Sequence, residues 1–316
     1  MVFLKVENLR KIYWQKGKKI EALKGISFEV RKGEIVAFLG PNGAGKTTTI
    51  KIISSILLPD GGDVWINGYN LFKHRANALR NIAVMLEGDR NLHFRLNAYE
   101  NAEYFLNLGG FKYDKKNFVS LAKRFGFEKD ILKRQVRKYS KGMKQKLSLL
   151  ITFLSGAPLI LLDEPTLGLD VHTTLEMLKL IEEMKQDRSV FLTTHEMHIA
   201  EKIADRIIII DKGKIIVDKP KNELIEYFRH KNYYLSFKIS DGKEYKDIKG
   251  LFKDLNCKVL KYSFGEGIHK FVLDIKDYKN VYDLIEKLKG LNAEILELSR
   301  REPTLEEVYL RIVGGK

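Results

Sequence analysis

Gly40-Pro41-Asn42-Gly43-Ala44-Gly45-Lys46-Thr47-Thr48 follows the apolar run Glu34–Leu39 and leads into a stretch, Thr47–Ile56, patterned as a helix. The nine residues fit the phosphate-loop pattern G-x-x-x-x-G-K-[ST] in its required setting, a strand before and a helix after. Glycines let the backbone curl until successive N–H groups face an anion, and the helix N-terminus adds partial positive charge. Lys46 is placed to reach the β and γ phosphates of a nucleotide, and Thr47 to offer its hydroxyl to Mg²⁺. A chance Gly-rich turn explains the glycines, but not the lysine, threonine and strand together.

Further along, four apolar residues, Leu159–Leu162, deliver Asp163 and Glu164 side by side at a strand end. Asp163 suits the Mg²⁺ shell, and Glu164 is placed to polarise a water for attack on the γ phosphate. Strands often end in charge, so the pair becomes informative through its company with a phosphate loop. Between the two lies Tyr139-Ser140-Lys141-Gly142-Met143-Lys144-Gln145. Ser140 can cap a helix whose N-terminus, with the Gly142 amide, forms a second anion site. That site lies too far from the phosphate loop to share a nucleotide within one chain. Two anion sites therefore imply one nucleotide between two chains.

With these residues in place, the sequence resembles the ATP-binding cassette (ABC) family over almost all of residues 1–218. Tyr13 resembles the aromatic that stacks on adenine, Gly40–Thr48 the Walker A loop, and Asp163 with Glu164 the Walker B end. Ser140–Gln145 resembles the family signature as exporters spell it, Leu169-Asp170 the D-loop, and His195 the switch histidine that contacts γ phosphate. Taken singly, Tyr13 also fits a packed strand aromatic, Asp170 a plain helix N-cap, and His195 with His198 a surface pair. The resemblance implies a P-loop NTPase core, ATP and Mg²⁺ as cofactors, and Lys46, Glu164 and His195 in catalysis. It implies ATP bound by Tyr13 and by Gly40, Pro41, Asn42, Gly43, Ala44, Gly45, Lys46, Thr47 and Thr48, with Ser140, Gly142 and Asp170 reaching it from a second copy.

One position departs from the family. Where a glutamine usually follows the strand Ile82–Leu86, this chain reads Glu87-Gly88-Asp89-Arg90-Asn91. Glu87 can still coordinate Mg²⁺ as a hard oxygen ligand, but it adds negative charge beside phosphate and cannot donate a hydrogen bond. Near the C-terminus, Arg301-Glu-Pro-Thr-Leu-Glu-Glu-Val-Tyr-Leu310 resembles the tail of cassettes that serve drug, lipid or polysaccharide exporters. In those, one ATPase polypeptide pairs with a six-span membrane polypeptide. Read locally, the tail is an amphipathic helix after an N-terminal proline.

From Val2 to Val217 the pattern predicts repeated strand, glycine turn and amphipathic helix, an α/β domain. Val190–Thr193 reads as a buried strand, Ile207–Ile210 with Lys214–Val217 as a closing hairpin, and Ala98–Arg137 as a helical insertion. Asn97 and Glu100 form a capping box for its first helix. These readings predict a nucleotide-binding domain over 1–218 with a helical subdomain over 95–150, a linker helix over 219–231 and a C-terminal domain over 232–316. A basic joint, Arg229, His230 and Lys231, precedes that last domain. In it Tyr233–Ile239, Lys258–Phe264, Lys270–Asp274 and Ala293–Leu298 read as strands. Lys246–Leu255, Val281–Leu288 and Leu305–Ile312 read as helices, giving a small α+β ferredoxin-like sandwich with one extra helix.

Length and composition agree with this division. A chain of 316 residues suits one large and one smaller domain. Its 44% hydrophobic and 31% charged residues are those of a globular protein. Cys257 is the only cysteine, which excludes an internal disulfide and a metal site built on cysteine pairs, and fits a reducing cytoplasm. The N-terminal residues lack the pattern of a signal peptide. The longest apolar stretch, Leu147–Leu162, is broken by Ser148, Thr152, Ser155, Gly156 and Pro158, so it reads as a buried helix and strand. A membrane role therefore needs a partner.

Two functions compete. A transport ATPase would pair with a second copy of the cassette and an integral membrane permease, docked near Glu87–Leu96, peripherally at the cytoplasmic face of the membrane. A soluble cassette ATPase acting on nucleic acid or ribosomes is permitted by the net charge of +15, with twelve basic and three acidic residues between Tyr113 and Lys146. That basic stretch reads equally as a solvated helical face or as one that meets phosphate, lipid headgroups or an acidic partner. Against nucleic acid stand the single cassette, the lack of a long heptad segment between the two nucleotide motifs and the lack of an RNA-binding motif. A sensor without turnover is disfavoured by Glu164 and His195. Transport is the expectation, with cargo contacts in the membrane protein.

Overall fold

A computed structural model describes residues 1–15, 17–88, 91–185, 188–229, 232–239, 248, 250, 252, 255, 257–275, 277, 279–300 and 304–313. The chain divides into two compact units, Met1–Pro220 and Lys221–Lys316. Asp89, Arg90, His230, Lys231, the tail residues Arg301–Pro303 and most of the expected helix Lys246–Leu255 lie outside the described residues.

The first unit opens with β1 (Val2–Gln15), β2 (Lys18–Arg31) and β3 (Ile35–Leu39), followed by α1 (Lys46–Ile53). Next come β4 (Gly61–Ile66), β5 (Tyr69–Asn70), α2 (Arg75–Leu79) and β6 (Ile82–Met85). Helices α3 (Ala98–Leu108), α4 (Lys115–Arg124), α5 (Lys129–Leu132) and α6 (Lys141–Leu154) fill the stretch before β7 (Leu159–Asp163). After α7 (Val171–Met184), β8 (Ser189–Thr194) and α8 (Met197–Ile203), the unit closes with β9 (Arg206–Asp211) and β10 (Lys214–Pro220).

Two sheets result. One is antiparallel, in the order β2-β1-β4-β5. The other has the order β10-β9-β3-β8-β7-β6, parallel except for β10. The strand–turn–helix repeat expected from Val2 onward therefore fails at the start, because residues 2–31 form a long hairpin without a helix. Its residues alternate along β2, where Ile26, Phe28 and Val30 are buried and Glu29 and Arg31 are not. Such alternation belongs to a half-solvated antiparallel strand, whereas β3, β7 and β8 are buried at every residue, as central parallel strands are. Helix α1 also stops earlier than its pattern predicts. Ser55 adopts a left-handed φ of 57°, and the amides of Ile56 and Leu57 both fold back on the Lys51 carbonyl.

An aromatic cluster joins the two sheets. Phe28 of β2 stacks on Phe191 of β8 with centroids 5.3 Å apart, and Phe38 of β3 lies 5.5 Å from Phe28 and 5.4 Å from Phe191. At the far edge β9 turns into β10 through Lys212 and Gly213, both at positive φ, the combination that matches the twist of a tight hairpin. Helix α3 starts at a reciprocal cap: the Asn97 side chain accepts from the Glu100 amide at 3.0 Å, and the Asn97 amide donates to the Glu100 carboxylate at 2.8 Å.

The second unit contains α9 (Lys221–Arg229), β11 (Asn232–Lys238), β12 (Cys257–Gly265), β13 (Ile268–Ile275), α10 (Lys279–Gly290), β14 (Glu294–Arg300) and α11 (Leu305–Val313). Its sheet is antiparallel throughout, in the order β12-β13-β11-β14. Phe237 and Phe271 stack at 5.6 Å inside a core that Ile248, Phe252, Leu284 and Leu288 complete. Among the described residues no helix is long and apolar enough to cross a membrane.

Because Phe191 is fully buried and touches both sheets, Phe191→Ala removes a shared contact as well as its own transfer energy. We expect it to destabilise the first unit by about 3–5 kcal/mol. Urea unfolding read at an unchanged slope measures this; a loss under about 1 kcal/mol means the sheets are held together elsewhere.

Candidate functional site

Parallel strands place their following loops at one end of the sheet, where ligands collect. Here the phosphate loop follows β3, Glu87 follows β6, Glu164 follows β7 and His195 follows β8. The register is tight: Leu39 pairs with Thr194, Asp163 with Thr193, and Met85 with Leu162.

The loop itself is shaped by contacts only glycine permits. A Cβ on Gly40 would stand 2.3 Å from the Ile210 carbonyl. Gly45, the residue before α1, has φ 113°, and its Cβ would stand 2.7 Å from Leu23 and 2.8 Å from the Ala22 carbonyl. The backbone of residues 40–45 is thereby pressed against β2 and β9, leaving the amide side of the loop to face outward.

Above it opens a cleft of about 760 Å³. Tyr13, Asn42, Gly43, Gly45, Lys46, Thr47, Thr48, Glu87, Glu164 and His195 all line it. Gly40, Pro41 and Ala44 support the loop from behind without lining the cleft, the Ala44 amide donating to the Pro41 carbonyl at 3.1 Å. Tyr13 folds toward the end of the loop, its hydroxyl 3.4 Å from that of Thr48.

At the cleft floor a chain of charges converges. Lys46 Nζ donates to the carbonyls of Gly40 at 2.8 Å and Pro41 at 3.3 Å, and pairs with Glu164 Oε1 at 3.3 Å. The other Glu164 oxygen meets His195 Nδ1 at 3.0 Å. Both partners of the Lys46–Glu164 pair are buried, so neither charge could stand there alone. Glu164 also holds a left-handed φ of 47°, a conformation that costs a non-glycine residue about 1–2 kcal/mol. Its amide is gripped by the Thr193 carbonyl at 3.1 Å, with the Thr193 hydroxyl oxygen also in reach at 3.3 Å.

Asp163 sits deeper. Thr193 donates to its Oδ1 at 2.6 Å and Thr47 to the same oxygen at 3.3 Å. Oδ2 is buried with no hydrogen-bond partner. Burial outweighs the two hydroxyls and holds the Asp163 carboxyl above the ordinary aspartate range. A hard cation beside Thr47 would satisfy the orphaned oxygen, and hydroxyl plus carboxylate is a donor set that suits Mg²⁺. No cluster of three or more His, Cys, Asp and Glu side chains fit for a metal occurs among the described residues.

Ser140, Gly142 and Asp170 do not reach the cleft. They gather instead where α6 and α7 begin. The Ser140 side chain accepts from the Met143 amide at 3.2 Å, and Asp170 accepts from the Thr173 amide at 2.9 Å and hydroxyl at 2.7 Å. These bonds hold the Asp170 carboxyl below its usual range. Thr173 also joins the two helix starts, since a Cβ on Gly142 would touch its methyl at 2.9 Å.

Several contributors were not singled out from the sequence. Trp14, Gln15, Ile20, Ala22 and Leu167 also line the cleft, Trp14 being 74% exposed. Thr193 positions both carboxylates, and the polar end of an otherwise apolar strand was its signal. Gln145 Nε2 donates to the Pro165 carbonyl at 2.9 Å, tying α6 to the turn after Glu164. Asn91 bonds Leu86 in both directions, at 3.0 and 2.6 Å, and donates to the Gly88 carbonyl at 3.0 Å, which closes the loop that carries Glu87.

Comparison with known proteins agrees with this geometry. The family profile described as ABC transporter matches residues 23–167. The ABC transporter ATP-binding protein NatA of Bacillus subtilis is 33% identical over 235 residues, covering 73% of this chain and 95% of that protein. The bacitracin transport ATP-binding protein BcrA of Bacillus licheniformis is 29% identical over 321 residues, 99% of this chain and 97% of that protein. Among solved structures, a dimeric ATP-binding cassette in a post-hydrolysis state with ADP and phosphate, MJ0796, superposes with a TM-score of 0.63 at 24% identity, over 69% of this chain and 98% of that one. The chain belongs to the ABC transporter family, as an ATP-binding subunit that hydrolyses ATP for transport.

Proposed function

We propose that this subunit powers export through a separate membrane protein, working as a head-to-tail pair of identical cassettes. Each ATP is then held between the phosphate loop of one copy and Ser140 with Gly142 of the other, with Asp170 alongside. The observation that carries this reading is the split of the site. The cleft has the triphosphate floor but not the signature residues, and those residues gather at helix starts away from it. MJ0796, a cassette dimer, supports the arrangement.

In this reading Tyr13 stacks on the base. Lys46, drawn from Glu164 by the incoming phosphates, binds them, and the freed Glu164 carboxylate takes a proton from the attacking water. His195, already 3.0 Å from Glu164, orients that carboxylate and steadies the γ phosphate. Thr47 and Asp163 would hold Mg²⁺, with Glu87 at the rim, and the ion would neutralise charge on the phosphates. Closure of the pair follows binding, and loss of shared phosphate contacts reopens it.

The segment Glu87–Leu96 is where the membrane subunit docks. The exposed Phe94 ring lies under Lys144 of α6, with Nζ 4.5 Å from its centroid, and the Phe94 and Leu96 carbonyls accept from the amides of Arg137 and Val136. A push on this segment thus reaches Ser140 through one short rigid stretch. Export follows from BcrA, a bacitracin transport protein similar over nearly the whole chain. The subunit then lies peripherally at the cytoplasmic face of the membrane. For the second unit, strand order fourth-first-third-second, with the helix Lys279–Gly290 between the third and fourth strands, supports a ferredoxin-like sandwich.

Two variants test the reading. Glu164→Gln keeps the shape and removes the base, so turnover is expected to fall about 10²–10⁴-fold while ATP leaves a dimer on a sizing column. A variant that stays monomeric with ATP, beside a native enzyme of normal turnover, sinks the shared-nucleotide arrangement. Asp163→Asn removes a buried charge. Because burial raises the folded carboxyl above its unfolded range, the native chain loses stability as pH rises through that window, a loss that an asparagine, which does not titrate, avoids. We expect the variant to gain about 1 kcal/mol at pH 7 while losing turnover; thermal unfolding at pH 7 that is no higher than native contradicts this account of Asp163.

A further inference from the structure

We propose that Glu87 makes this chain discriminate, at the moment of capture, between a cation-bound nucleoside triphosphate and a free one. The inference rests on reading the cleft as the nucleotide site, and adds a rule for what enters it.

The cleft's own charges point this way. Among the described residues that line it, the formal charges are those of Lys46, Glu87 and Glu164, with His195 as a titratable neighbour. Lys46 is already matched to Glu164 at 3.3 Å and anchored on two carbonyls. Glu87 makes no hydrogen bond or ion pair among the described residues, and it is exposed at the rim. It is therefore the lining charge that no described residue offsets. Asp163, buried at the end of β7 beside Glu164, adds more of the same sign.

The backbone that carries this carboxylate is held in place. Asn91 clamps the backbone on both sides of Glu87, through Leu86 and Gly88. The β6–β7 pairing fixes Met85 opposite Leu162, so Glu87 and Glu164 each stand two residues beyond the same pair, at adjacent strand ends. The position is held by the sheet, not by loop chance.

A free triphosphate arriving here meets loop amides and a helix N-terminus that attract it, and a rim carboxylate that repels it. A divalent cation on the nucleotide removes two of its negative charges and offers Glu87 an oxygen-seeking partner. A glutamine would keep the carbonyl oxygen while omitting the repulsion. The acid in place of the amide thus penalises the free anion far more than the cation-bound one. For a partly solvated charge near a polyanion we expect about a tenfold effect, narrowing as salt rises.

The test measures equilibrium binding, not turnover. ATP is titrated calorimetrically into the intact chain in excess Mg²⁺ and again in EDTA, for the native protein, Glu87→Gln, Glu87→Asp and Lys46→Ala. We expect Glu87→Gln to bind ATP in EDTA about tenfold tighter than native, with binding in Mg²⁺ changed by less than about threefold, and Glu87→Asp to keep the native ratio. If Glu87→Gln binds metal-free ATP no better than native while Lys46→Ala loses binding, the role of Glu87 falls and the cleft stands. If Lys46→Ala binds ATP like the native chain, the cleft itself is misassigned and the proposal falls with it.

Discussion

A buried ammonium held against a buried carboxylate, Lys46 and Glu164 at 3.3 Å, is the constraint from which the rest of the site takes its form. Neither charge could be carried out of water alone, so each needs the other until a phosphate offers an alternative. This makes the floor of the cleft responsive to an anion. In the mechanism we propose, an incoming phosphate competes for Lys46 and frees Glu164 to act on water. His195 Nδ1 lies 3.0 Å from the opposite oxygen of Glu164, so the carboxylate keeps a partner on that side.

Holding such a pair requires a scaffold that tolerates strain. Glu164 sits in a left-handed conformation, Asp163 is kept above its ordinary pKa range by burial, and one of its oxygens has no partner. Each of these is unfavourable for the folded chain. They persist because β3, β7 and β8 are buried along their whole length and locked in register, with Phe28, Phe38 and Phe191 closing the space between the sheets. Core packing far from the nucleotide thus offsets disorderly chemistry at the strand ends.

What could be read from the sequence follows from how local each feature is. The phosphate loop is nine contiguous residues with its strand and helix adjoining, and the Asn97–Glu100 cap is complete within four. The opening hairpin departs from the strand–helix pattern of its sequence, because its meaning lies in which of two sheets residues 2–31 join, and no short window contains that. Thr193 is a similar case. Its value depends on lying opposite Asp163 across two strands that are far apart in sequence. Trp14 reaches the cleft on a hairpin whose β1–β2 pairing runs out to Gln15 and Lys18, and Asn91 matters through a loop closure that five residues of spacing do not announce. The early end of α1 turns on a single left-handed serine that helical periodicity passes over.

The same distinction explains why each copy carries only part of the machinery. Thr173 of α7 packs closely beside Gly142 of α6, and Gln145 ties α6 to the turn after Glu164, so the helix starts that carry Ser140 and Asp170 are mechanically continuous with the floor of the cleft in their own chain. They are nevertheless chemically separate from that floor, since none of Ser140, Gly142 and Asp170 lines the cleft. A surface that is rigidly joined to one site yet serves another is what coupling between two sites requires, because any shift that phosphate induces at Glu164 must be transmitted to the neighbouring nucleotide. Lys144 over Phe94 extends the same stretch to the segment where we propose that the membrane partner docks. In the arrangement we propose, incompleteness of the single cleft is the physical means by which one hydrolysis event would be felt by two chains and by the protein they drive.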